Sequence, residues 1–280
     1  MFSLIGVRTL VMGILNVTPD SFSDGGRFFG TQAAVDHGVR MAEEGADIID
    51  VGGESTRPGS EAVSAEEEIA RVVPVIRRLR EKTDVVLSVD TYKAETASAA
   101  LDAGADIVND ISAATFDPRM PTAFAERGCP AILMHMQGTP RDMQIDPHYD
   151  DVVAEVRSFL AERVRALVAA GAAEELLIVD PGIGFGKTIE HNLELMRRLA
   201  ELKSIGRPVL VGPSRKSTIG KALGGLPPDE RLEGTAAAVA ICIANGADVV
   251  RVHDVKEMVR VARMADAIVR PTPPRPSGER

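Results

Sequence analysis

Eight short apolar runs punctuate the chain, each ending in a polar or charged residue just before a turn. They cover residues 10–16, 48–54, 85–90, 107–110, 131–135, 176–180, 208–215 and 249–253. Runs of this length and content read as buried strands. Helical periodicity follows each of them, over about 31–44, 65–80, 93–103, 118–127, 150–170, 190–202, 230–245 and 255–269. Strand, polar tip and helix, repeated eight times, predict an α/β fold of the (β/α)8 TIM-barrel type. All the polar tips then lie on one face, where they converge on a small molecule.

A weak internal repeat supports this reading. Gly45-Ala46-Asp47, Gly104-Ala105-Asp106 and Gly246-Ala247-Asp248 each precede a strand. The glycine is expected to stop a helix in the left-handed conformation, so these are helix-to-strand joints. Three connections on the presumed active face are long, 18–30, 55–64 and 137–149, and such loops in a compact barrel are usually lids or binding loops. The barrel should occupy residues 1–270. Residues 271–280 hold four prolines without apolar periodicity and read as a disordered tail.

Composition narrows the function. At 280 residues and 45% hydrophobic, the chain suits one barrel of about 250 residues plus tails. A net charge of −9, with 4% aromatics and no tryptophan, opposes a nucleic-acid partner, which wants a basic stripe and stacking rings. An anionic ligand must instead meet a local set of cations, for which Arg57, Lys187, Arg215, Lys216, Arg251 and His253 are candidates. Cys129 and Cys242 lack partners at metal or disulfide-framework spacing, and no apolar run approaches the roughly 20 residues that span a bilayer. With no signal-peptide pattern at the N-terminus, a soluble cytoplasmic protein without a membrane partner is expected.

Several strand ends carry candidate chemistry. The first runs into Asn16 and a loop that combines Asp20 and Asp24 with a buried-type Phe22; Asn16 and the aspartates are hard oxygen ligands that suit magnesium on a phosphorylated substrate, although ordinary turn chemistry also uses Asp, Ser, Asn and Gly. The second leads to Gly52-Gly53-Glu54-Ser55-Thr56-Arg57-Pro58-Gly59, where glycines permit close approach and Arg57 offers a planar fork to an anion. Asp90, Asn109 and Asp180 end three further strands. Together they suit a heterocycle rich in N–H donors and ring acceptors; singly each could be a helix cap. Asp180-Pro181-Gly182-Ile183-Gly184-Phe185-Gly186-Lys187 approaches a P-loop, but Pro181 stands where its first glycine must be. Phe185 beside a flat ligand fits those residues better. Ser214 to Ser217 and Arg251 to His253 follow strands seven and eight, a usual phosphate site in such barrels. His135 reads either as functional or as a satisfied structural histidine, and His37, His148 and His191 as surface or loop residues.

These stretches, in this order and over nearly the whole chain, closely resemble the dihydropteroate synthase family of folate biosynthesis. The resemblance implies condensation of hydroxymethyl-dihydropterin pyrophosphate with p-aminobenzoate, by dissociative substitution, in a homodimer. It implies that Asp90, Asn109, Asp180 and Lys216 bind the pterin, with Met134 and Gly212 lining its pocket. Arg251 and His253 would hold the pyrophosphate, and Asn16 a magnesium ion bound to it. Thr56, Arg57, Pro58, Phe185 and Ser217 would frame the p-aminobenzoate site, where sulfonamides compete. Asp90, Lys216, Arg251 and His253 are the expected catalytic group, with the loop of Asp20, Phe22 and Asp24 assisting. A pterin-binding methyltransferase subunit would share Asp90, Asn109 and Asp180 but has no use for a pyrophosphate grip; a catalytically silent pterin-binding paralogue is the other alternative.

Overall fold

The structure is a computed structural model describing residues 2–18, 26–56 and 59–270. Asp20, Phe22, Asp24, Arg57, Pro58 and the tail from residue 271 lie outside these. Eight parallel strands alternate with helices in chain order. The strands are β1 (Leu10–Asn16), β2 (Ile48–Gly52), β3 (Val86–Asp90), β4 (Ile107–Asp110), β5 (Ala131–Met134), β6 (Leu177–Asp180), β7 (Leu210–Val211) and β8 (Val249–Val252). Each pairs with its sequence neighbours, β1 pairs with β8, and a bridge between Val179 and Val209 closes the ring. The fold is the expected (β/α)8 barrel.

Two packed layers result from strand alternation. Outward-facing residues such as Val51, Val89 and Val250 join the helices in one large core. Inward-facing Leu10, Met12, Ile48, Ile107, Ile132, Ile178, Leu210 and Val249 form a separate plug of strand residues only. Eight long or medium helices cover the outside: α1 (Gly26–Glu43), α2 (Ala65–Arg80), α3 (Ala94–Asp102), α4 (Met120–Arg127), α5 (Val152–Ala169), α6 (Ile189–Arg197), then, after the short α7 (Ser217–Ala222), α8 (Leu232–Ala244) and α9 (Val255–Val269). Sequence signals set their ends. Ser64 caps α2 by accepting the Glu67 N–H, with Glu66 to Glu68 in its first turn and three arginines in its last, both favourable to the helix dipole.

The repeated glycines behave as the sequence suggests: Gly45, Gly104 and Gly246 have φ of 100°, 109° and 98°. The aspartate after each has a role the repeat did not disclose. Asp47, Asp106 and Asp248 accept the N–H of Val11, Leu87 and Val209, at the start of the preceding strand of the ring, and each also pairs with a cation, Arg8, Arg80 or Lys203. They tie the barrel floor.

Three expectations are corrected. The seventh strand shrinks from 208–215 to two residues, because Pro213 brings no N–H for a ladder and Arg215 turns left-handed at φ 55°. The chain then turns into α7, whose short apolar pattern did not reveal it. The helix over 190–202 ends at Arg197 and continues as a 3₁₀ stretch, Leu199–Ile205. His191 is no loop residue: it sits in the first turn of α6, where its ring accepts the Thr188 N–H in a capping box, and His37 is half-buried within α1.

Candidate active site

One step of alternation above the plug, the interior turns polar. Ile48, Ile107, Ile178 and Val249 are followed two residues later by Asp50, Asn109, Asp180 and Arg251, and Ile132 and Leu210 by Met134 and Gly212. On β3, Val86 is followed by Ser88 and then Asp90. The barrel therefore delivers Asp90, Asn109, Met134, Asp180, Gly212 and Arg251, predicted from separate stretches, to one mouth.

Arg251 lies at its centre. Its Nε donates to Asp50 Oδ2 and its Nη2 to Asp90 Oδ2, both at 2.7 Å. Asn109 Nδ2 donates to the same Asp50 oxygen at 3.0 Å. In the free protein the arginine's fork is thus already engaged by two carboxylates. Burial pushes Asp90 up to about 7, with Arg251 pulling the other way and Asp50 adding to the rise. Asp180 is likewise raised by burial to about 6, although its Oδ1 accepts the Gly182 N–H at 2.7 Å. Lys216 is lowered by burial, then by Arg251, to about 8. Three groups thus titrate close to neutrality in one place, as functional sites tend to do.

The opposite side of the mouth is apolar. Phe185 packs with Ile111, Met134 and Met143, and the Lys216 ammonium stands 4.2 Å from the centre of its ring. Phe185 is held there by a glycine-rich loop that lies directly on the loop after β5. A Cβ on Gly182 would come within 2.0 Å of the His135 carbonyl oxygen, and one on Gly186 within 2.4 Å of that of Gln137. These glycines serve close backbone approach. Buried Lys187 fastens the two loops, contacting His135 Nδ1 at 3.0 Å and the Phe185 carbonyl at 2.9 Å. It is therefore spent on structure, with burial lowering it to about 7, and Arg215 is likewise spent on its ion pair with Asp254. His135 is pulled far below its ordinary pKa by burial and by Lys187, and is the satisfied structural histidine of the two readings.

His253 does not act as a charge. Its backbone N–H donates to Ser214 Oγ at 3.1 Å, and its Nδ1 lies 3.0 Å from the same hydroxyl, which can donate to that nitrogen or accept from it. Burial, with Arg251 and Arg215 nearby, lowers it to about 4. The ring at neutral pH is uncharged, with one N–H donor and one acceptor nitrogen. Thr56 and Asn16 are half-buried at the rim, and Ser217 is exposed at the start of α7.

Sequence reasoning missed Asp50, fully buried at the base of the mouth. The signal was present: Asp50 stands two residues after Ile48, the spacing that marks Asn109, Asp180 and Arg251. It also missed a rim anchor in which Lys93 bridges Glu54 and Glu68, while Glu54 accepts from Tyr92 Oη and from the Val63 N–H across the 55–64 loop.

Comparison with known proteins agrees with this geometry. The sequence model of the pterin-binding enzymes matches residues 12–253. The dihydropteroate synthase of Synechocystis sp. is 51% identical over 265 residues, 95% of this chain and 92% of its own length. Among solved structures, the Xanthomonas albilineans dihydropteroate synthase with 4-aminobenzoic acid superposes with a TM-score of 0.89 at 49% identity, covering 95% of this chain and 94% of the other. The same bacterium's enzyme has been solved with 7,8-dihydropteroate, at a TM-score of 0.85, 46% identity and 95% coverage of each chain. The Yersinia pestis enzyme in a sulfonamide drug complex gives 0.88 at 47% identity, covering 94% of each. With its barrel, its polar mouth and its length all shared, the chain belongs to the dihydropteroate synthases of the pterin-binding enzyme family.

Proposed function

We infer that the chain transfers a dihydropterin-methyl group from its pyrophosphate ester to p-aminobenzoate, yielding 7,8-dihydropteroate and pyrophosphate. The observation that carries this reading is the convergence of Asp90, Asn109, Asp180 and Lys216 on the mouth around Arg251. An aminopterin ring offers N–H donors to buried carboxylates and carbonyl and ring-nitrogen acceptors to an ammonium, and such charge-assisted bonds orient it.

The chemistry asks little covalent work of the protein. The bond from the pterin methylene to oxygen breaks with its electron pair leaving on the pyrophosphate, and the arylamine nitrogen then bonds to that carbon and sheds a proton. Positive charge grows on the methylene, beside the Asp90 carboxylate. Arg251 carries the charge that faces the leaving group, and the neutral ring of His253 contributes a hydrogen bond. The neutral arylamine needs no strong base, so positioning by Thr56, Arg57, Pro58, Phe185 and Ser217 matters more. Sulfonamides, which share the aniline, compete for the same rim.

Magnesium fits as an ion carried by the substrate. Among the described residues no group of three or more His, Cys, Asp or Glu could hold a metal, whereas magnesium keeps several waters and prefers phosphate oxygens. Asn16, half-buried at the end of β1, would supply one amide oxygen. The ion when bound neutralises charge on the departing pyrophosphate.

We propose that the chain forms a homodimer through one candidate surface. A groove of about 430 Å³ between α6, α7 and α8 is lined by Met196, Ile219 and Ala238 and flanked by Leu193, Leu223 and Ile241, all exposed in the monomer. Sedimentation of Ile241→Glu as a monomer, against a dimeric wild type, would support that placement; an unchanged dimer would move it elsewhere. No helix of the described residues is long and apolar enough to cross a membrane, and with both cysteines free, a cytoplasmic location is in keeping.

The test is pyrophosphate release from hydroxymethyl-dihydropterin pyrophosphate and magnesium, with and without p-aminobenzoate. Release that depends on the arylamine and matches dihydropteroate formation is expected. Pterin binding without release would contradict the reading.

A further inference from the structure

Asp50 has no part in the chemistry above, yet it is the most enclosed ionisable group of the mouth, with no exposed surface. Its position follows from alternation on β2, which puts Ile48 into the dry plug and Asp50 directly over it. A carboxylate there has no water below it and needs partners from the strands beside and across the barrel. It finds two. One oxygen, Oδ2, accepts both the Arg251 Nε–H at 2.7 Å and the Asn109 amide at 3.0 Å.

Each contact fixes a choice the partner would otherwise have. A carboxamide can meet a carboxylate only with its NH2 group, so Asn109 is locked with its carbonyl oxygen turned away from Asp50, as an acceptor. A neutral or apolar residue at position 50 would leave the amide able to flip and present donors instead. Arg251 would be bound by Asp90 alone and could follow that side chain. With Asp50 in place, Nε is held at the base of the mouth and Nη2 reaches Asp90, which leaves Nη1 outside this pair of bonds. The second Asp50 oxygen and the hydroxyl of Ser88, its register partner on β3, are buried without a protein partner, so the hold rests on Oδ2 alone.

We propose that Asp50 is a positioning residue for the pterin pyrophosphate substrate, fixing Asn109 as a hydrogen-bond acceptor and anchoring Arg251 at the base of the mouth. This rests on the reading of Asn109 and Arg251 as substrate contacts. It gives one side chain control over two binding residues that come from different strands, neither of which it adjoins in sequence.

The test is steady-state kinetics of full-length Asp50→Asn, which preserves shape and removes the charge. The KM for the pterin pyrophosphate should rise about tenfold or more, while that for p-aminobenzoate stays within about twofold, because only the pterin contacts lose their support. Ser88→Ala, which alters the neighbouring buried side chain but removes no hydrogen bond to Asn109 or Arg251, should leave both constants unchanged. Unchanged constants in Asp50→Asn, a parallel rise in both, or the same rise in Ser88→Ala would each overturn the proposal. Should Asp50→Asn fail to fold, the smaller neutral Asp50→Ser is held to the same outcomes. Failure of the wild type itself to turn over would overturn the functional reading and this inference together; failure confined to the variants would overturn this inference alone.

Discussion

The two halves of the barrel interior are made from the same strands and do opposite things. Below, Ile48, Ile107, Ile178 and Val249 fill a dry plug; two residues further along the same strands, Asp50, Asn109, Asp180 and Arg251 form a polar ring. A strand cannot be stable and reactive at one position, but it can be each in turn every 7 Å or so, because its interior-facing residues recur every second position. The plug contributes hydrophobic burial at no functional cost. Above it, the ring carries carboxylates raised to about 6 and 7 and an ammonium lowered to about 8, all displaced chiefly by burial, which opposes their charged forms.

If the ring is held together by charge rather than by packing, removing its central cation should have the largest effect. Arg251→Ala leaves Asp50 and Asp90 facing each other unpaired, and breaking a buried ion pair in this way costs about 3–5 kcal/mol. Urea unfolding should show that loss near pH 8 and a smaller one near pH 5, where Asp90, raised to about 7, is already protonated. A loss independent of pH would mean that Arg251 matters by bulk alone.

The next effect is on the rate. Productive binding needs Asp90 as a carboxylate and Lys216 as an ammonium, so kcat/KM for the pterin pyrophosphate should climb as pH rises to about 7 and fall above about 8. Above about 8 the fall should be about tenfold per pH unit; below about 7 it should begin at tenfold and steepen below about 6, where Asp180 is protonated as well. A profile flat from pH 6 to 9 would contradict the assignment of those two groups.

The smallest effect belongs to the rim. Tyr92→Phe removes one hydrogen bond to Glu54, which keeps Lys93 and the Val63 N–H, so the cost should be about 1 kcal/mol in unfolding free energy. A loss several times larger would show that the rim, and not the plug, dominates stability.

What the sequence disclosed divides along the same line. Strands and their tips were legible because a buried parallel strand is a short apolar run with a sharp end, and seven of the eight tips fall within two residues of the expected place. Strand seven was not, since Pro213 and the left-handed Arg215 break the ladder inside an apolar-looking stretch. Charges were hardest to place. Lys187 and Arg215 resemble ligand cations in sequence, and only the fold shows them spent on His135 and Asp254. His253 could be located but not its loss of charge, which comes from burial and from Arg251 and Arg215 beside it. Asp50 was hidden by a run that appeared to end at Glu54, although the period of two singles it out.

The central claim is that stability and function separate over two residues of one strand, and β6 tests it most directly. Ile178 and Asp180 should be replaced singly, as Ile178→Ala and Asp180→Asn, and both unfolding free energy and kcat/KM measured for each. Ile178→Ala should lose about 2–5 kcal/mol of stability while its kcat/KM at low temperature stays within a few-fold of wild type. Asp180→Asn, relieved of a buried charge, should be at least as stable as wild type and lose about a hundredfold or more in kcat/KM. Loss of activity in Ile178→Ala, or loss of stability without loss of activity in Asp180→Asn, would contradict the division.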